Sequence, residues 1–368
     1  MHITLIISSL SPGGAEKVMA AMANYWAGNN QDITLITFDS RNSDSYIFND
    51  RIKRHALELL TDSKNILESL ANNYKRIKRL RSILVDSKPD IIISFIDKTN
   101  ILAILSNIGL KYPLIICERV NPRKYRIGRF WRLLQKMLYP LSDALVVQTE
   151  ATKLWFKQKL KFPEEKTYVI PNPVIISSQN SKNIIKEKLN IISMGRLVRQ
   201  KGFDILLDSF SKIAEKYPDW TLTIIGKGEE ENNLKSQAKY LGIEKQVIFT
   251  GFIKNPFEYL QNADLFVMPS RFEGFPNALI EAMSYGLAAI SFNCPSGPSD
   301  IIRNGTDGIL VNCEDTDGLT AAMDDLMSNK EKRGQFSKRA REVSERFKLE
   351  KIIGMWNNLL EEVIRRKK

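Results

Sequence analysis

Histidine and cysteine are scarce in this chain, whose 368 residues hold two of the first and three of the second. His2 opens a strand pattern and His55 lies in a basic connection, so no histidine-based catalytic or metal site is expected. Cys117, Cys294 and Cys313 are an odd, widely spaced set in apolar surroundings. That argues against a disulfide framework and a zinc site and for reduced structural thiols. Long apolar runs are missing too: Ile91 to Ile93 with Phe95 and Ile96 is far short of the ~20 residues a membrane-spanning helix requires. The opening Met1 to Ile7 has no basic flank and no small-residue cleavage site, so no signal peptide is expected and the cytoplasm is the expected location.

What is present is an ordinary globular composition, 43% hydrophobic and 26% charged, in a chain longer than one core usually supports. Two domains are therefore expected. The net charge of +12 is uneven: residues 1–170 carry 26 Lys and Arg against 16 Asp and Glu, and the remainder 28 against 26. A phosphorylated ligand, an anionic bilayer or nucleic acid would each answer to that field.

Short β-branched runs alternate with amphipathic stretches throughout, the pattern of parallel sheets covered by helices. Strands are expected near Ile3–Ser8, Ile33–Phe38, Ile91–Phe95, Leu114–Cys117 and Ala144–Gln148, with helices over Ala15–Trp26 and Lys75–Val85. Ile170-Pro171-Asn172-Pro173 and the polar Ser177–Asn183 read as a linker. The alternation then resumes with strands at Ile191–Met194, Leu222–Ile225, Val247–Thr250 and Leu265–Met268, and helices at Phe203–Lys216 and Leu234–Tyr240. The expected architecture is α/β, with two doubly wound domains facing across a cleft: residues 1–171, a linker over 172–186, and residues 187–348. Ligands of such sheets lie at the carboxyl ends of the strands.

Three stretches carry chemistry. In Ser11-Pro12-Gly13-Gly14-Ala15-Glu16, two glycines at a strand-to-helix turn let backbone amides approach an anion, or simply make a flexible turn. The turn matches neither the dinucleotide nor the P-loop glycine pattern. Gly195-Arg196 with Lys201-Gly202 places two cations beyond a strand end, where a departing diphosphate would develop charge. Glu273-Gly274-Phe275-Pro276-Asn277 with Glu281 sets two carboxylates around a Gly/Pro loop that enters a helix at Pro276. Amides there can meet phosphate while Glu281 accepts from vicinal hydroxyls. Asp315-Thr316-Asp317 has a metal-binding spelling but reads as a helix cap.

This ordered set resembles glycosyltransferase family 4, whose retaining members have the GT-B fold; Gly226-Lys227-Gly228, Gly251-Phe252-Ile253 and Gly305 to Val311 reinforce the likeness along essentially the whole chain. The resemblance implies that Arg196 and Lys201 hold the donor diphosphate, Glu281 the ribose and Glu273 the transferred sugar. The Phe275, Pro276 and Asn277 segment and the Gly13-Gly14 turn would close on the phosphates, and Lys227 and Ile253 would flank the base. It also implies that residues 349–368 cross back to the first domain, that no metal or other cofactor is needed, and that the leaving phosphate helps deprotonate the acceptor. The assigned catalytic set is Glu273, Arg196 and Lys201. Many relatives have histidine after the fourth-strand glutamate, where this chain reads Cys117-Glu118-Arg119.

Between Glu118 and Asp143 there is no acid but seven basic residues: Arg119, Arg123, Lys124, Arg126, Arg129, Arg132 and Lys136. Phe130, Leu133, Leu134, Met137 and Leu138 give the stretch from Arg129 an amphipathic helical pattern. It suits an interfacial helix on an anionic leaflet or a core-packed helix with a solvated basic face. Lys75 to Arg81 is a second basic cluster. The likeness implies a UDP-linked hexose or N-acetylhexosamine donor, a polyprenyl-diphosphate-linked acceptor in cell-surface polysaccharide assembly, and peripheral contact with the inner face of the membrane. Asp97, Glu118 and Arg119 are candidate contacts to the acceptor or sugar. The alternatives are a GT-B nucleotide-sugar epimerase and, from charge alone, a nucleic-acid binder, for which no recognised module is present.

Overall fold

The computed structural model describes residues 1–61, 64–123, 127–175 and 189–367. Most of the expected linker, and Lys124 and Arg126 of the basic segment, lie outside the described residues. The chain divides into two compact units: residues 1–173 with 350–368, and residues 174–349.

The first unit is built on seven strands, β1 (His2–Ile7), β2 (Asp32–Thr37), β3 (Lys53–Ala56), β4 (Ile91–Phe95), β5 (Leu114–Cys117), β6 (Ala144–Val147) and β7 (Thr167–Val169). They lie in the order β3-β2-β1-β4-β5-β6-β7, and every pairing is parallel. Central strands covered on both faces read as near-continuous apolar runs rather than alternating ones. Accordingly all five residues of β4 and all four of β5 are buried. Edge strands β3 and β7 lack that signature and are not legible in the sequence; β3 takes His55 out of the expected connection.

Helix α1 (Gly14–Gly28) follows β1, and α2 (Ile66–Ser87) starts well before the expected Lys75, because the Asn65 side chain caps it by accepting from the Glu68 amide at 2.8 Å. Helix α3 (Asp97–Asn107) follows β4, and α4 (Arg129–Leu138) precedes β6. The last helix, Leu349–Lys367, packs in this unit through Trp356, which is 1% exposed. Its ring meets Trp26 edge-on at 6.5 Å and stacks on Phe95 at 6.4 Å.

The second unit holds β8 (Leu189–Met194), β9 (Trp220–Ile225), β10 (Val247–Gly251), β11 (Leu265–Met268), β12 (Ala288–Phe292) and β13 (Gly308–Val311), ordered β10-β9-β8-β11-β12-β13 and again parallel throughout. The expected helix over Phe203–Lys216 ends at Ser211, and Ala214–Lys216 is a separate 3-10 turn. Both sheets reverse their strand order beside their first strand, at β1/β4 and at β8/β11, the point at which doubly wound sheets bind ligands.

Candidate donor and acceptor sites

The second unit brings its candidate residues to the β8/β11 switch point. Gly195 and Arg196 follow β8, and Arg196 is exposed. The Gly195 amide donates to the Ile225 carbonyl at 3.0 Å, and the Leu197 amide to the Lys227 carbonyl at 2.9 Å, so the loops after β8 and β9 run side by side. Gly226 makes this possible: its φ is +150, and a Cβ there would stand 1.8 Å from the Gly195 carbonyl oxygen. Exposed Lys227 thus lies beside the Arg196 loop. Ile253, beyond β10, is half-buried against the core of this unit.

Lys201 closes a short turn that ends at Gly202, whose φ is +67. A side chain at Gly202 would bring Cβ to 2.0 Å from the Pro269 carbonyl, so the turn sits directly on the loop that leaves β11. That loop carries Glu273, which is buried and accepts from Lys201 Nζ at 2.6 Å. Beyond it Phe275 and Pro276 are buried, and a helix of eight residues begins at Asn277 with Pro276 as its cap and no side-chain cap bond. The N-terminus of this helix directly follows the loop that leaves β11, a setting suited to anions. Glu281 lies one turn along, partly exposed. Of the metal-like pair, Asp315 caps the helix Thr316–Ser328 by accepting from the Gly318 amide at 2.8 Å, and Asp317 pairs with Lys212 at 2.6 Å.

In the first unit Gly13 and Gly14 follow β1. The turn is pinned by Tyr46: the Gly13 amide donates to its hydroxyl at 3.1 Å, and that hydroxyl donates to the Gly13 carbonyl at 2.9 Å. Nothing in the spacing of the sequence marks Tyr46, since the contact spans 33 residues.

Across the switch point, Asp97, Glu118 and Arg119, the candidate contacts to acceptor or sugar, follow β4 and β5. All three side chains are buried. Asp97 accepts from the Lys98 amide at 2.7 Å, and burial pushes its pKa above the usual carboxylate range, against the pull of Lys98 and Arg132. Ile96 before it has φ +77, an unusual strain for a β-branched residue. Glu118 accepts from the Tyr139 hydroxyl and, at 3.2 Å, from Gln135 Nε2. Burial and then the charge of Asp97 push the Glu118 carboxyl up to about 8. Arg119 lies over the Phe95 ring, its guanidinium carbon 3.8 Å from the ring centroid, and donates to Asn172 Oδ1 at 2.6 Å. Desolvation lowers its pKa to about 10.

Helix α4 buries one side and exposes the other. Trp131, Leu134 and Leu138 pack on the core, while Phe130, Leu133 and Met137, one position round the helix, are 58%, 55% and 62% exposed. Arg129, Arg132 and Lys136 form the adjoining face. With Arg123, Pro122, Trp155 and Lys159 they line an open groove of about 570 Å³. The second basic cluster is partly spent inside: Arg76 donates to the Leu59 carbonyl, and Arg81 to the carbonyls of Ser106 and Ile108. Among the described residues no helix is long and apolar enough to cross a membrane.

Two Rossmann-like units with these strand-end loops define a glycosyltransferase of the GT-B class. HepE from Anabaena, solved in complex with UDP-glucose, shares this fold at a TM-score of 0.79 and 19% identity, with 100% of each chain covered. The chain belongs to glycosyltransferase family 4: residues 12–178 match the model "Glycosyltransferase Family 4" and residues 175–343 the model "Glycosyl transferases group 1". It is 31% identical to an uncharacterized glycosyltransferase of Haemophilus influenzae, over 95% of this chain and 97% of that one. It is 30% identical to an alpha-1,4-N-acetyl-D-galactosaminyltransferase of Campylobacter jejuni, over 99% of both; the name of that enzyme gives a diNAcBac-PP-undecaprenol-linked acceptor. Neither the epimerase nor the nucleic-acid reading gains support from these likenesses.

Proposed function

We propose that this enzyme transfers a hexose or N-acetylhexosamine from a UDP-sugar, with retention of configuration and without a metal ion, to a polyprenyl-diphosphate-linked oligosaccharide at an anionic membrane surface. The observation that carries the donor half is the gathering of Arg196, Lys201, Glu273 and the Asn277 helix start at one switch point. A diphosphate there meets two cations and a helix N-terminus, which stabilise the charge that develops as the sugar–phosphate bond breaks. Lys201 already rests on Glu273, so its ammonium is held where the leaving group forms. Glu273 is thereby oriented to accept from a hydroxyl of the transferred sugar, and Glu281 from ribose hydroxyls. The acceptor oxygen attacks the same face and passes its proton to a leaving phosphate oxygen. UDP as the donor nucleotide is supported by the UDP-glucose bound to HepE, and a lipid-linked acceptor by the name of the Campylobacter enzyme.

The acceptor half rests on α4. A row of exposed apolar side chains beside Arg129, Arg132 and Lys136 is the combination that seats a helix at an anionic headgroup layer. The deciding experiment for the donor is calorimetric titration with UDP, GDP and ADP in EDTA, on the wild type, Glu281→Ala and the double variant Arg196→Ala/Lys201→Ala. UDP binding without metal, weakened at least tenfold by either variant, is the expected result. Binding that needs a divalent ion, or full affinity in the double variant, would sink the site.

A further inference from the structure

We infer that Arg271 is a positioning residue for the transfer: one guanidinium sets the separation between the loop that carries Lys201 and the loop that carries Glu273. The inference rests on the donor site proposed above. Arg271 stands two residues before Glu273, and its amide donates to the Gln200 carbonyl at 2.9 Å. Its side chain turns back to the same loop, where Nη1 donates to the Arg199 carbonyl at 2.7 Å. The fork then grips both carboxylate oxygens of Asp204, at 2.8 and 2.7 Å, in the first turn of the helix Phe203–Ser211. Gln200 answers from the other side, donating through Nε2 to the Phe272 carbonyl at 2.8 Å. Residues 199–201 and 271–273 are therefore tied in both directions, and the bond between Lys201 and Glu273 is a further rung between the same two loops.

A third loop joins them. Arg271 Nε donates at 2.6 Å to Glu314, which follows β13 and sits at φ +64, a conformation rare outside glycine. Loops from the ends of β8, β11 and β13 thus meet on one guanidinium. A planar five-donor fork fits this arrangement; an ammonium has three donors radiating from one nitrogen and cannot reproduce the parallel two-bond grip on Asp204 together with the Nε bond to Glu314. Displacing a charged group by about 1 Å from a reacting centre can cost ~100-fold in rate, so a clamp outside the reacting shell can govern it. Arg271 itself need not touch the donor.

The test is a set of double-mutant cycles read by calorimetric titration with UDP on the full chain. Arg271→Lys is expected to weaken UDP about tenfold in the wild-type background and less than twofold in the Lys201→Ala background, because the effect runs through Lys201. In the Glu281→Ala background the tenfold loss should persist, a contrast that a general loss of stability would not produce. Glu314→Ala removes only the Nε contact, and the Glu314 side chain is 57% exposed, so the fold stays intact. It should give a smaller loss, about threefold, with the same dependence on Lys201, and it carries the cycle if Arg271→Lys fails to fold. Equal losses in all three backgrounds, or no loss in any, overturn the inference. If Lys201→Ala alone leaves UDP affinity unchanged, it is the donor site that fails.

Discussion

Replacing Glu118 by glutamine should make the first unit less sensitive to rising pH. In the folded protein the carboxyl lies under Tyr139 and Gln135, with Asp97 as its nearest like charge and Arg132 as the opposing cation, and its pKa rises from 4.5 to about 8. The folded chain therefore keeps a proton that the unfolded chain releases above pH 4.5. Stability is highest below that value, where both states are protonated, and falls as pH rises toward 8, by about 1.4 kcal/mol per pH unit at most. Over the window the loss is on the order of 5 kcal/mol for this one group. Glutamine reproduces the neutral form and keeps a bond to Tyr139. Urea unfolding at pH 5, 6, 7 and 8, followed by tryptophan fluorescence because Trp26, Trp131, Trp155 and Trp356 lie in this unit, measures the difference. The wild type should lose stability across the series relative to the variant, with the two near each other at pH 5. Asp97, whose pKa is also raised, leaves a residual slope in both. Parallel curves for the two proteins from pH 5 to 8 would refute a buried, neutral Glu118.

Trp356→Ala removes a fully buried ring from between Trp26 and Phe95 and should destabilise the first unit by ~3–5 kcal/mol, read as a lower urea midpoint. Gly226→Ala sets a methyl 1.8 Å from the Gly195 carbonyl, forcing the loops after β8 and β9 apart. It should lower the melting temperature and weaken UDP binding together, and unchanged binding would detach this contact from the donor site. Phe130→Glu with Met137→Glu places two acids on the exposed face of α4; flotation with vesicles containing anionic phospholipid should fall at least tenfold, while UDP affinity stays as it was. Persistent vesicle binding in that variant would remove α4 from the membrane proposal.

The fold class, the strand-end motifs and the family were legible because each rests on local information. Largely apolar runs such as Ile91–Phe95, broken only by Ser94, announce buried parallel strands, and the Gly, Pro and Glu spacing from Glu273 to Glu281 marks a loop entering a helix. Edge strands β3 and β7 were not legible, since Lys53, Arg54 and His55 owe their strand conformation to pairing with β2 rather than to burial. Contacts distant in sequence were equally hidden. Tyr46 on Gly13, Arg271 on Asp204, and the placement of Arg119 over Phe95 depend on which strand ends the topology sets side by side. So does the ionisation of Asp97 and Glu118, which the sequence presents as two ordinary carboxylates and the packing turns into a buried pair that resists charge. The sequence by itself determined which residue types stand at each strand end, because local pattern dictates strand, turn and helix; only the tertiary structure decided which of them face solvent and which serve the interior, because desolvation and partner choice exist only once the sheet has assembled.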